Sequence, residues 1–149
     1  MRQKIRGMTL IEMLVVIGVI GILLATLTPS VSRYAKGVSL NGEAKVLTST
    51  LREAQEKTIT EQKRYLIRLR PESAPPSYDL VALTESGEEL QKTFTLRSGE
   101  TMTVEETIAS NEVIFSPDGG PSASGNITIS NGTDSKIVNV SPAGFISIQ

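Results

Sequence analysis

The sequence predicts an α+β protein, with a long N-terminal α-helix that is apolar in its first half and packed on a C-terminal antiparallel β-sheet domain. Three observations predict it. An apolar run fills residues 8–28. Apolar residues then recur at spacings of three and four as far as Gln62, the period of a helix with one buried face. From Lys63 the period changes to two, and Gly, Pro, Asn, Asp and Ser punctuate short alternating segments. At 149 residues there is room for one compact domain beyond the apolar segment.

The first element, residues 6–29, reads RGMTLIEMLVVIGVIGILLATLTP. As a helix, residues 8–28 would run ~31 Å, which fits the ~30 Å hydrocarbon core of a bilayer. Arg2, Lys4 and Arg6 make a basic head of the kind that stays on the cytoplasmic side. Glu12 is the anomaly, because an acidic residue at the centre of a spanning helix costs ~2.5 to 3.5 kcal/mol and less near an end. A secretory signal would need an uninterrupted apolar core and a small-x-small site, and the candidates around Ala25 and Ala35 are poor. A plain anchor explains the length and the basic head but leaves Glu12 unexplained, unless its carboxylate snorkels to the headgroups. Pro29 removes one backbone hydrogen bond and is expected to kink the helix there. Gly18 and Gly21 offer small faces for close helix approach.

Residues 30–62 contain few breakers and continue the helix, with a weak spot at Asn41-Gly42. Leu40, Ala44, Leu47, Leu51, Ala54 and Thr58 form a stripe that should lie on the chain's own sheet. Val31, Tyr34 and Val38 form another, pointing nearly the opposite way, that would meet neighbouring helices; a break near Gly42 would instead realign the two. Residues 63–70 read as a strand with Tyr65, Ile67 and Leu69 on one face and a basic opposite face. After a loop over 71–76, strands are expected at 78–83 and 91–96, joined by the turn Glu85-Ser86-Gly87-Glu88, and then at 101–104 and 113–115. A Gly, Pro and Ser loop covers 116–125. Segments 126–130, 136–140 and 144–148 make a terminal antiparallel meander.

Composition excludes much. The chain has no Cys and no His, so disulfides, thiolate or imidazole metal sites and Ser-His relays are absent. Asp118-Gly119-Gly120 lacks the alternating acidic pattern of a calcium loop. Formal net charge is -1; without Arg2, Lys4 and Arg6, twelve of the fifteen Lys and Arg face sixteen Asp and Glu, a balance with no general attraction to nucleic acid. One basic cluster, Lys63, Arg64, Arg68 and Arg70, is a candidate DNA contact, weighed against ion pairing or subunit contact.

Gly7-Met8-Thr9-Leu10-Ile11-Glu12 and the apolar run behind it resemble the prepilin signature of type IV pilins and type II secretion pseudopilins, with Met8 where that family most often has phenylalanine. The resemblance implies cleavage after Gly7 by a prepilin peptidase, N-methylation of Met8 and an assembly role for Glu12, whose carboxylate would pair with the terminal amine of a neighbouring subunit. It includes Pro29. The Ala54-Gln55 pair, the spacing of Phe115, Pro117, Gly119 and Gly144, and the terminal strands are similar to minor subunits of the H type, GspH/FimT-like. The resemblance divides the chain into a leader (1–7), a membrane and assembly helix (8–29), a helix continuing onto the domain (30–62) and a β-rich pilin-like domain (63–149). It implies a structural subunit of a type II secretion pseudopilus or a type IV pilus, not an enzyme, with no cofactor and no metal. Partners would be other pilin subunits through the helix, the prepilin peptidase, an inner-membrane assembly platform and membrane lipid. The chain would sit in the cytoplasmic membrane, N-terminus inside, before reaching the filament on the extracytoplasmic side. Alternatives are a DNA-binding minor pilin for DNA uptake and a plain membrane-anchored extracytoplasmic domain.

Overall fold

The computed structural model describes residues 8–149, with the side chains of residues 25–36 left aside. Helix α1 spans Leu10–Glu61 and runs through Pro29 and Asn41-Gly42 without a break in its assignment, so the alternative of a helix broken near Gly42 is set aside. The chain divides into two compact units, Met1–Lys36 and Gly37–Gln149. In the first, the apolar side chains from Met8 to Leu24 are exposed all round, from Val16 at 40% to Leu10 at 84%. Among the described residues no helix is long and apolar enough to cross a membrane; residues 25–28, which complete the expected span, lack described side chains.

In the second unit α1 presents the expected stripe. Leu40, Ala44, Leu47, Leu51 and Ala54 are buried, and Thr58, also buried, returns its hydroxyl to the Ala54 carbonyl at 2.8 Å. Val38, on the other stripe, is half exposed, and the side chains of Val31 and Tyr34 lie outside the described set. The helix stops where Gln62 takes a left-handed conformation (φ 53°), and the Gln62 amide donates to the Ile59 carbonyl at 2.6 Å, satisfying one of the orphan carbonyls of the last turn.

Eight strands follow: β1 (Arg64–Arg70), β2 (Ser77–Thr84), β3 (Gly87–Thr95), β4 (Thr101–Val104), β5 (Glu112–Phe115), β6 (Gly125–Ser130), β7 (Ser135–Val140) and β8 (Ile146–Ile148). They form two antiparallel four-stranded sheets, ordered β3-β2-β1-β5 and β4-β6-β7-β8. The expected meander is β6-β7-β8, and β4 adds to its edge. Tyr65, Ile67, Leu69, Leu80 and Val113 from the first sheet share one core with Met102, Ile127, Ile129, Val138 and Val140 from the second, and the helix stripe closes it. Tyr78 stacks on Phe94, centroids 5.1 Å apart. The β6–β7 turn is built by Asn131, whose side-chain oxygen accepts from the backbone N–H groups of Thr133 and Asp134 at 3.0 and 2.8 Å.

Candidate functional site

Two regions hold the residues singled out by the sequence. At the start of α1, Thr9 is the N-cap. Its hydroxyl accepts from the Glu12 N–H at 3.3 Å, and the Glu12 carboxylate reaches back to the Thr9 N–H at 3.5 Å. This is a capping box: two N–H groups with no partner inside the helix are satisfied reciprocally, and an acidic side chain lies at the positive end of the helix dipole. The Thr-x-x-Glu spacing was open to reading from the sequence, where the cost of a carboxylate in an apolar run drew attention instead. Glu12 is exposed, as are Met8 and the apolar side chains that follow it. Gly7 lies outside the described residues, and so does the side chain of Pro29.

The second region is the outer face of the first sheet. Arg68 bonds Glu112 of β5 at 2.6 Å and makes a two-pronged contact with Glu88 of β3 at 2.9 Å. Because β2 separates β3 from β1, this bridge crosses the outer face of β2. On that face Leu66 and Val81, which pair directly, are 2% and 3% exposed although neither belongs to the main core. The supposed basic face of β1 therefore holds a small apolar patch under an ion-pair network. The Arg68 guanidinium is held more firmly protonated by the hydrogen bonds it donates to Glu88 and Glu112, against the opposing cost of burial, and the Arg68 contact in turn holds the Glu88 carboxyl below its usual range. Arg70 pairs with the buried Asp79 at 2.6 Å, and Asp79 also accepts from Thr93 at 2.7 Å. Lys63 and Arg64 are exposed and make no ion pair among the described residues. The four cations are thus not one free patch: two are committed to the chain's own carboxylates.

A clamp that sequence reasoning did not assemble ties the loops to the helix. The Gln55 amide nitrogen donates to the carbonyls of Gly119 at 2.7 Å and Gly144 at 3.1 Å. Both glycines have positive φ, 83° and 81°, and a Cβ on Gly144 would stand 2.7 Å from that nitrogen and 3.0 Å from the Gly119 oxygen. One turn earlier, Arg52 donates to the Ile146 carbonyl at 2.7 Å, which fixes β8 to the helix. Between them Phe145 is turned outward, 75% exposed, beside a groove that Glu56 and the half-exposed Ile59 also line. Among the described residues no three acidic side chains gather in a way that could hold a metal ion.

A family profile for the prokaryotic N-terminal methylation motif matches residues 2–28, and one for the type II transport protein GspH matches residues 43–144. Comparison with curated proteins gives no match. Among solved structures, the type IV minor pilin FimU of Pseudomonas aeruginosa superposes with a TM-score of 0.63 at 14% identity, covering 78% of this chain and 92% of FimU. The minor pseudopilin EpsH of the Vibrio cholerae type 2 secretion system gives 0.63 at 14% identity, covering 74% of this chain and 96% of EpsH. At such identity these structures establish the shared fold. The GspH profile, which spans the domain from α1 to the end of the β7–β8 turn, establishes the family: the chain belongs to the GspH family of minor pilins and pseudopilins.

Proposed function

We propose that this subunit is cut after Gly7 by a prepilin peptidase, N-methylated on Met8, held in the cytoplasmic membrane by residues 8–29 with Arg2, Lys4 and Arg6 inside, and then incorporated into a filament through that helix. An inner-membrane assembly platform would perform the transfer, and the domain beyond the helix would face the extracytoplasmic side. The observation that carries the reading is the segment from Met8 to Leu24, helical from Leu10, exposed and apolar on every side, with a single carboxylate in the first turn of its helix. An apolar surface of this kind needs either lipid or other helices around it. Removed from water, the Glu12 carboxylate is costly unless an opposite charge approaches. Cleavage after Gly7 would put an α-amine on Met8, one helical turn away in sequence, and the same amine on a neighbouring subunit can pair with Glu12 and set the stagger.

FimU belongs to a type IV pilus and EpsH to a type 2 secretion system, and the proposal holds for either filament. Replacing Glu12 by Ala should leave insertion and cleavage intact, as read by a new N-terminus at Met8 on sequencing, while reducing recovery in sheared filaments several-fold. Normal recovery of that variant would remove the pairing role. An intact Met1 on the wild-type protein would remove the processing step altogether.

A further inference from the structure

The chain passes from the first sheet to the second through the tight turn 97–100, where the Glu100 N–H donates to the Arg97 carbonyl at 3.1 Å. Glu100 then points inward and is only 8% exposed, and its Oε2 has no hydrogen-bond partner. The residues facing it are unevenly matched. Glu43 of α1 bears on it as a like charge, yet the guanidinium of Arg97, the cation within reach, is placed 3.6 Å from the Glu43 carboxylate. Ser39, one turn before Glu43 on α1, turns a buried hydroxyl toward Glu100 that pulls only weakly on the carboxylate. Glu43 also bears on the buried Tyr78 hydroxyl of β2. Two carboxylates thus share one arginine, and Glu100 is the more deeply buried of the two, while the Arg97 side chain is 69% exposed.

Such an arrangement is costly while both carboxylates are ionised, since a buried charge without a partner loses its hydration with nothing in return. A proton on Glu100 removes the charge and gives it a donor for the acceptors around it. We propose that Glu100 is a proton-operated latch: protonated, it seats the turn 97–100 against α1 beside Ser39 and Glu43, and on ionisation it releases that turn and loosens the crossing between the two sheets. Burial pushes the Glu100 carboxyl up, the Glu43 charge adds to this, and the opposing pulls of Arg97 and Ser39 are smaller. A carboxyl raised in this way takes up a proton on folding. Its contribution is therefore lost as pH rises from the ordinary glutamate range through the native value.

The test compares full-length wild type with Glu100→Gln in detergent micelles, because glutamine keeps the shape and cannot ionise. At pH 7.5 the variant should melt about 4 °C above wild type, the scale of shift a domain of this size shows for a modest change in stability. At pH 4 the two should melt together. Hydrogen exchange in peptides covering residues 97–104, corrected for intrinsic rate, should be severalfold faster in wild type at pH 7.5 than at pH 4, and independent of pH in the variant. An equal difference in melting at both pH values would mean only better packing by the amide, and would overturn the latch. Titration of the labelled Glu100 carboxyl in the wild-type protein supplies a test that needs no variant: ionisation near the ordinary value of about 4.3 refutes it. Stabilisation of wild type, but not of the variant, by millimolar calcium at pH 7.5 would make the pocket a cation site and overturn the proton reading.

Discussion

Replacing Gln55 by Ala should unfasten two loops at once. Its amide nitrogen is shared between the carbonyls of Gly119 and Gly144, at 2.7 and 3.1 Å, in a half-buried position. A neutral hydrogen bond of this kind contributes about 1 kcal/mol net, and the two carbonyls left facing the gap add part of their desolvation cost, so the expected loss is about 2 to 3 kcal/mol. Gln55→Glu should cost more at neutral pH, because a carboxylate would present only acceptors to two acceptors. Gly144→Ala should cost a similar amount by another route: φ of 81° is uncomfortable for an L-residue, and its Cβ would fall 2.7 Å from the Gln55 nitrogen. Because both changes open the same clamp, the double variant should cost at least about 1 kcal/mol less than the sum of the single ones. Urea unfolding of the full-length chain in micelles, followed by circular dichroism, measures all four. A loss under about 0.5 kcal/mol for Gln55→Ala, or strict additivity with Gly144→Ala, would refute the clamp.

The remaining predictions concern charge. Burial and, for Tyr65, a 2.7 Å hydrogen bond to Glu61 push the phenols of Tyr65 and Tyr78 up to about 12. Both therefore lose a stabilising contribution as pH rises from the ordinary tyrosine value of about 10 to about 12, and absorbance at 295 nm should show two phenols ionising only there or with alkaline unfolding. Changing Arg68 and Arg70 together to Ala should loosen the first sheet and lower its melting temperature by several degrees. It should leave DNA retardation by the protein as weak as in wild type at moderate salt; loss of a strong wild-type retardation would instead establish a DNA contact.

Much of the second unit was legible because its elements state their period plainly. The stripe from Leu40 to Thr58 is buried, as the spacing of three and four required, and Tyr65, Ile67 and Leu69 point into the core as alternation required. Burial of Leu66 was not legible. The Arg68 bridge over that face is completed by Glu88 and Glu112, 20 and 44 residues away, and single-strand periodicity carries no information about what crosses a neighbouring strand. The early start of β3 at Gly87 was hidden for a related reason. A register shift opposite Leu80 and Val81 breaks the alternation, so that Leu90 and Lys92, two residues apart, face adjacent residues on β2. Pairing of β5 with β1 rather than with β4 is a long-range choice, and so the division into two sheets could not be read from the strand pattern. At the candidate site, the types Gln55, Gly119 and Gly144 were noticeable in sequence, but their meeting depends on loops converging from 64 and 89 residues away.

The interleaving of the two sheets bears on how the domain comes into being. Strands β1 to β3 can pair as they are made, but β4 belongs to a sheet whose next strand, β6, comes later, and β5 must then return to β1 before the chain leaves again for β6. Neither sheet can be finished before the other has been begun. A chain emerging end first on the far side of a membrane would thus hold β4 without a partner until β6 follows, with a hydrophobic edge open to strangers. Once β6 arrives, both sheets and the helix stripe close on one core together. Removal of the last three strands would strip β4 of its only sheet and uncover the shared core, leaving no stable half-domain behind.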